Sequence, residues 1–211
     1  MYRAIIFDCD GTLLDAKIMI RLLYDGYRRF YPQRPSKTYE EFICCYYFTN
    51  VQTQKYLDIP DEEYEAFIRF SFGDKDEIMN TTKMFTGIAD VTRELDARGI
   101  VLGINTSRIP EHMVAVREQL TPSVYDRFRI IVTSKDVRRP KPAPDSMERI
   151  AEQLGMDMED ILYIGDSDSD AACAKAAGCD FALAGWGLVG EHVPKADIFL
   201  REPADILKLL L

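Results

Sequence analysis

Short apolar runs recur along this chain, separated by segments with helical spacing. Ala4–Phe7 (AIIF), Ile100–Ile104 (IVLGI), Ile130–Val132 (IIV), Ile161–Ile164 (ILYI) and Phe181–Ala184 (FALA) are too short for helices of their own. Apolar at nearly every position, they read as strands of a parallel sheet covered on both faces. Between them, Ile88, Val91 and Leu95 share one helical face ahead of Gly99. Met113, Val116 and Leu120 share another, and Met147, Ile150, Ala151 and Leu154 a third, ahead of Gly155. A glycine just past the last apolar position is a common helix stop. Strand and helix thus alternate from about residue 84, which predicts an α/β fold with a doubly wound, Rossmann-like parallel sheet. Pro203–Leu211 is expected to close the chain as a helix with Ala204, Leu207 and Leu210 facing inward.

The interval from Ala16 to Lys83 breaks that alternation. Ile20, Tyr24, Tyr27 and Tyr31 fall on one helical face, and Tyr64, Phe67, Ile68 and Phe72 on another that begins after Pro60. Thr38 and Glu41 have the spacing of a capping box. No strand is evident here. The expected organisation is therefore a core made of residues 1–15 and 84–211, with residues 16–83 inserted after the first strand as a small helical domain.

The sequence has 211 residues, enough for one good core with a small accessory domain. No stretch approaches the roughly 20 apolar residues of a membrane span, and the acidic start MYRAIIFDCDGT does not resemble a signal peptide, so a cytoplasmic protein is expected. A net charge of −9 with no basic stripe argues against nucleic acid as partner. The cysteines number five, two of them adjacent and none in a CxxC pair, which disfavours a disulfide framework or a zinc site. Histidines are only two, so carboxylates must carry any acid–base work.

Carboxylates do gather where an open parallel sheet binds ligands, beyond the carboxyl ends of its strands. The first run ends in Asp8-Cys9-Asp10-Gly11-Thr12. Residues two apart on extended backbone point the same way, so Asp8 and Asp10 can converge while Cys9 points elsewhere. Gly11 permits a sharp turn. Two such acids suit a hard cation, or a nucleophile paired with a proton-transfer group. An Asx turn is the plainer reading of the same string. The second run ends in Asn105-Thr106-Ser107, whose hydroxyls and amides would suit a phosphoryl oxygen or, more plainly, a helix cap. Lys141 stands between Pro140 and Pro142, a cation on restricted backbone. Gly165-Asp166-Ser167-Asp168-Ser169-Asp170 follows the ILYI run, with Asp166 at a strand end and Asp170 opening the next helix. Singly, each segment is an ordinary loop or cap. Jointly they hold nucleophile, proton-transfer group, metal ligands, hydroxyl and cation, the parts that phosphoryl transfer uses.

FDCDGTLLD, GINTS, PKPAPD and GDSDSD, in that order, resemble the four motifs of the haloacid dehalogenase superfamily, in the branch with a helical cap after the first strand that includes phosphoglycolate-phosphatase-like enzymes. The resemblance implies a Mg2+-dependent phosphatase acting on a small phosphorylated metabolite, as a monomer or homodimer. It implies Asp8 as nucleophile, Asp10 as acid and then base, and Thr106, Ser107, Lys141 and Gly11 around the phosphoryl group. Asp8, the Asp10 carbonyl and Asp166 would bind the metal, with Asp170 behind them. The acid at Asp10 points to an alkoxide leaving group rather than a halide. A sugar-phosphate mutase shares these acids and stays open, as does a non-catalytic phosphate-binding module. Asn105 and Pro140 depart from the residues usual at their positions. Tyr39, Phe42, Tyr46, Tyr47, Phe48 and Tyr56 of the insert would either line a substrate pocket or fill the insert's own small core.

Overall fold

The computed structural model describes residues 2–35, 37–48, 50–72 and 82–210. The chain divides into two compact units. The first comprises Met1–Asp15, Lys83–Leu188 and Val193–Leu211, the second Ala16–Thr82 with Val189–His192.

Among the described residues, the first unit is built on eight short strands: β1 (Ala4–Phe7), β2 (Leu14–Asp15), β3 (Lys83–Met84), β4 (Val101–Asn105), β5 (Phe128–Val132), β6 (Ile161–Gly165), β7 (Asp180–Ala184) and β8 (Ile198–Leu200). Six of them form one sheet in the order β5-β4-β1-β6-β7-β8, each neighbouring pair parallel. Side chains alternate between the sheet's faces, as strand geometry demands. Ile5 and Phe7 of β1 and Leu162 and Ile164 of β6 join one buried cluster, and Ala4, Ile6, Ile161 and Tyr163 join the other. Helices Ile88–Ala97 and Met113–Leu120 cover the first face, and Asp145–Leu154 and Asp168–Ala177 the second. A double-faced apolar core is what excludes water from both sides of the central strands, and it is the main stabilising term.

Several details differ from the sequence expectation, among them the unexpected strand β8 and the place of Val189–His192 in the second unit rather than the first. Strand β5 begins at Phe128, because Arg129 points outward on this edge strand and interrupts the apolar run. β2 and β3 pair antiparallel over two residues each, Leu14 with Met84 and Asp15 with Lys83, which ties Lys83 to the first unit. The closing segment Pro203–Leu210 is a 3₁₀ helix. Its period of three residues buries Pro203 and Ile206 and leaves Ala204 exposed.

The second unit holds helices Ile18–Phe30, Tyr39–Ile43, Asn50–Tyr56 and Asp61–Phe72. Thr38 caps its helix through the expected box with Glu41. Ile20, Leu23, Tyr27, Phe42, Leu57, Ile59 and Phe67 form its core, with Tyr39, Tyr46, Phe48 and Tyr56 packed around them. Of the six aromatic residues of the insert, Phe42 thus lies in the unit's core and Tyr39, Tyr46, Phe48 and Tyr56 pack against it half-buried, while Tyr47 stands outside this cluster. Edge-to-face pairs such as Tyr24–Phe42, with ring centres 5.4 Å apart, account for their density. Val189 joins this unit by donating its amide to the Tyr47 hydroxyl at 2.8 Å.

Candidate active site

Sheet register decides which loops meet. Phe7 lies level with Ile104 on one side and Ile164 on the other, so the next residues out, Asp8, Asn105 and Gly165, form one row at the carboxyl edge. The ladder runs one step further: Asp8 donates its amide to the Ile164 carbonyl at 2.8 Å, and Thr106 its amide to Val132 at 2.9 Å. Cys9 is fully buried in the same cluster as Ile5 and Phe7, which leaves Asp8 to the opposite side of the strand.

Lys141 reaches this row from the loop after β5. Its Nζ donates to Asp8 Oδ1 at 2.6 Å and to Asp170 Oδ1 at 2.7 Å, with the Tyr163 hydroxyl at 3.1 Å and the Asn105 carbonyl at 3.3 Å. Asp170 is the third residue of its helix rather than the first. Ser167 is the cap, and its amide and hydroxyl both donate to Asp170 Oδ2. The Tyr163 hydroxyl donates to Asp170 Oδ1 at 2.6 Å. Both Asp170 oxygens are therefore engaged, and Lys141 together with these hydrogen bonds outweighs burial to hold this carboxyl below the usual range.

Asp166 is its opposite. It is 2% exposed, and burial, then Asp170 and Asp8, push its carboxyl well above the ordinary range. Oxygens of Asp8, Asp166 and Asp170 lie within 4.8 Å of one another. Burial also raises Asp8, to about 7, against the pull of Lys141. Burial would discharge Lys141 too, yet Asp170 and Asp8 hold its ammonium well above the lysine range. Among the described residues, one ammonium thus faces three buried carboxylates. That surplus of negative charge, on hard oxygen donors, fits a divalent cation such as Mg2+, with Asp8 and Asp166 as the carboxylates open to it. The backbone is shaped for close approach here. Gly11 has φ +80°, and a Cβ on it would lie 2.0 Å from Asp166 Oδ2; one on Gly187 would lie 1.7 Å from the Gly11 carbonyl oxygen.

The remaining expected residues fall around this cluster. Asp10 is half-exposed, and both of its oxygens accept from Arg108, from Nε at 2.7 Å and Nη2 at 2.6 Å. Thr106 is buried, and its hydroxyl accepts the Arg108 amide at 3.1 Å. Ser107 is exposed. Neither residue caps the helical turn Pro110–His112, whose flanking residue is Ile109. Asn105, apolar in relatives by the resemblance, is buried with its carbonyl toward Lys141 and its amide near Cys173 Sγ.

A family model described as haloacid dehalogenase-like hydrolase matches residues 5–184. The chain belongs to that family. The phosphoglycolate phosphatase of Aquifex aeolicus is 29% identical over 215 residues, covering 99% of this chain and 96% of the relative. That of Escherichia coli K12 is 34% identical over 160 residues, covering 72% of this chain and 62% of the relative. Among solved structures, a HAD-superfamily hydrolase of subfamily IA from Geobacter sulfurreducens superposes with a TM-score of 0.75 at 24% identity, covering 100% of this chain and 97% of that one. A haloacid dehalogenase-like family protein from Streptococcus pneumoniae gives 0.79 at 17% identity, over 100% and 99%. At such identities the structures speak for the fold. With its relatives, the family makes this chain a phosphoric monoester hydrolase of the phosphoglycolate-phosphatase-like branch.

In this haloacid dehalogenase-like hydrolase, sequence reading passed over one group that the fold brings into the site and gave another the wrong partner. Tyr163 sits inside the ILYI run and reads as core, and nothing local announces that its hydroxyl meets Lys141 and Asp170. Arg108, like Arg139, reads as an extra phosphate contact or, more plainly, a surface arginine, whereas its side chain is 10% exposed and forked onto Asp10. Arg139, by contrast, is spent on Asp145 at 2.7 Å on the exterior.

Proposed function

We propose that this chain is a Mg2+-dependent phosphatase that hydrolyses a small phosphorylated metabolite through an aspartyl-phosphate at Asp8. The observation that carries this reading is the gathering of the Asp8, Asp166 and Asp170 carboxylates, with oxygens within 4.8 Å of one another, beside the Lys141 ammonium. Asp8 and Asp166, with the Asp10 carbonyl, would hold the metal, and Asp170 would steady Lys141 behind them. When bound, the ion neutralises phosphoryl oxygens and lets an anionic ester approach a carboxylate nucleophile.

The chain's own residues account for the rest. An Asp8 oxygen attacks phosphorus and the bond to the ester oxygen breaks, while Asp10 hands its proton to the departing oxygen. Water then attacks the phosphorus and gives its proton to Asp10. The bond to Asp8 breaks, releasing phosphate and restoring the enzyme. The Thr106 hydroxyl, the Ser107 amide and Lys141 would hold the equatorial oxygens, and Gly11 keeps the backbone turn clear of Asp166. The inserted second unit, residues 16–83 in the sequence reading, would be the cap that shields these steps from bulk water. We assign the enzyme to the cytoplasm.

Relatives named phosphoglycolate phosphatase put 2-phosphoglycolate first in a panel of phosphorylated acids and sugars. The protein should release phosphate from p-nitrophenyl phosphate and from at least one panel member with Mg2+, and lose that activity in EDTA. No turnover on any of them would overturn the reading in favour of a phosphate-binding module. An isomerised sugar phosphate as the main product would mark a mutase.

A further inference from the structure

Burying a guanidinium is costly unless its donors are used, and Arg108 uses two of them on a single partner. Nε and Nη2 donate to the two oxygens of Asp10, although the Asp10 side chain itself is 38% exposed. Arg108 is also held by its backbone. Its amide donates to Thr106 Oγ1 at 3.1 Å, while its carbonyl accepts from the Ser134 amide at 3.1 Å and the Ser134 hydroxyl at 3.2 Å. The loop after β4 is thus anchored to the loop after β5, and from that anchor the guanidinium reaches the turn after β1. Asp10 sits beside Gly11, on backbone of φ +80°. A half-exposed carboxylate on such a turn would otherwise sample several rotamers.

We propose that Arg108 is a positioning residue that fixes the Asp10 carboxylate for the two proton transfers of the hydrolysis. The proposal rests on the role given to Asp10 under the proposed function. A planar fork suits the task where a lysine would not, because two parallel N–H bonds set the plane of the carboxylate as well as its place. Each carboxylate oxygen has two lone pairs, so an oxygen that accepts from Arg108 keeps one for the proton of the attacking water. Once the leaving oxygen has taken its proton, the fork receives the resulting anion without rearrangement.

The test compares kcat/KM on two esters, because this constant reports steps up to departure of the leaving group. p-Nitrophenolate departs without a proton, whereas the alkoxide of 2-phosphoglycolate, or of whichever alkyl phosphate the panel selects, needs one. Asp10→Asn sets the reference, with a loss on the alkyl ester about a hundredfold larger than on the aryl ester, in line with general acid catalysis. Arg108→Met should show the same selectivity, with about a tenfold larger loss on the alkyl ester. The double variant should fall within about threefold of Asp10→Asn alone, as coupled residues do. Equal losses on both esters for Arg108→Met, or additive losses in the double variant, overturn the proposal while leaving Asp10 in its role. Loss of selectivity in Asp10→Asn itself overturns that role, and the proposal with it. If Arg108→Met does not fold by circular dichroism, Arg108→Lys carries the test. It keeps the charge without the fork, and an alkyl-selective loss supports the proposal while an unselective one rejects it.

Discussion

Lys141 meets Asp8 as a point charge in a crowd, whereas Arg108 meets Asp10 with both prongs of a fork on one partner. The two ion pairs flank a single buried residue, Cys9, and differ in how far their surroundings depend on them. Lys141 and Asp8 are 5% and 10% exposed in their side chains, and Asp170, which shares the same ammonium, is 1% exposed. Asp10 still reaches solvent. In the first case, each charge is stable only because the others are there. In the second, water can replace the partner. The difference teaches that one strand end holds two kinds of electrostatic device, one buried so deeply that the fold depends on it and one open enough to solvent that the fold can do without it.

Replacing Asp8 is the most drastic way to probe the first device. Asp8→Asn keeps the volume and an oxygen for Lys141, but removes the proposed nucleophile and one of three crowded carboxylates. Turnover should fall by at least about a thousandfold, the scale on which loss of a nucleophile is felt. Its melting temperature should hold or rise, since repulsion is relieved. Activity above a tenth of the parent enzyme would sink the assignment of Asp8. Lys141→Met comes next and tests the contrast directly. It leaves Asp8 and Asp170 buried without their cation, and breaking a buried pair in this way costs about 3–5 kcal/mol. Arg108→Met, whose carboxylate partner is partly solvated, should cost about 1 kcal/mol or less. Urea denaturation of the metal-free proteins measures both, and equal losses would erase the distinction between the pairs.

How much of this could be read from the chain follows the same division. Asp8, Asp10 and Asp166 announce themselves because an apolar run ending in acids places them at a strand's carboxyl edge, and a parallel sheet binds its ligands there. Lys141 is legible through the prolines beside it. The pairing of Arg108 with Asp10 is not, because the two lie 98 positions apart and a lone arginine after Ser107 offers a phosphate contact as readily as an ion pair. Tyr163 hides for a different reason: a tyrosine in ILYI satisfies the apolar pattern, and only the helix that follows brings Asp170 to its hydroxyl. Where elements were missed, they were short. β8 spans three residues and β2 and β3 two each, lengths at which no alternation can be told from chance. The aromatic residues of the second unit were legible as a cluster, and their packing into that unit's own core follows from how little apolar volume so small a unit has to bury.

Tyr163 offers the finest test of the crowded pair, because it can be altered without changing any charge. Its hydroxyl donates to Asp170 Oδ1 and lies 3.1 Å from Lys141 Nζ, so it accepts from the ammonium while donating to the carboxylate. Tyr163→Phe keeps the ring in its apolar cluster with Met147, Ile150 and Phe181 and removes only the oxygen. Asp170 keeps Lys141 and Ser167, and Lys141 keeps Asp8, Asp170 and the Asn105 carbonyl. The loss of stability should therefore stay near the size of one hydrogen bond to a charged group, about 1.5 kcal/mol. Turnover should fall about two- to fivefold, since a 1 kcal/mol change in how Lys141 is held is worth about fivefold in rate. If hydroxyl and ammonium act as one network, Tyr163→Phe in a Lys141→Met background should cost less than in the parent. Equal cost in both backgrounds would mean that the tyrosine serves Asp170 alone and that Lys141 is held by its two carboxylates.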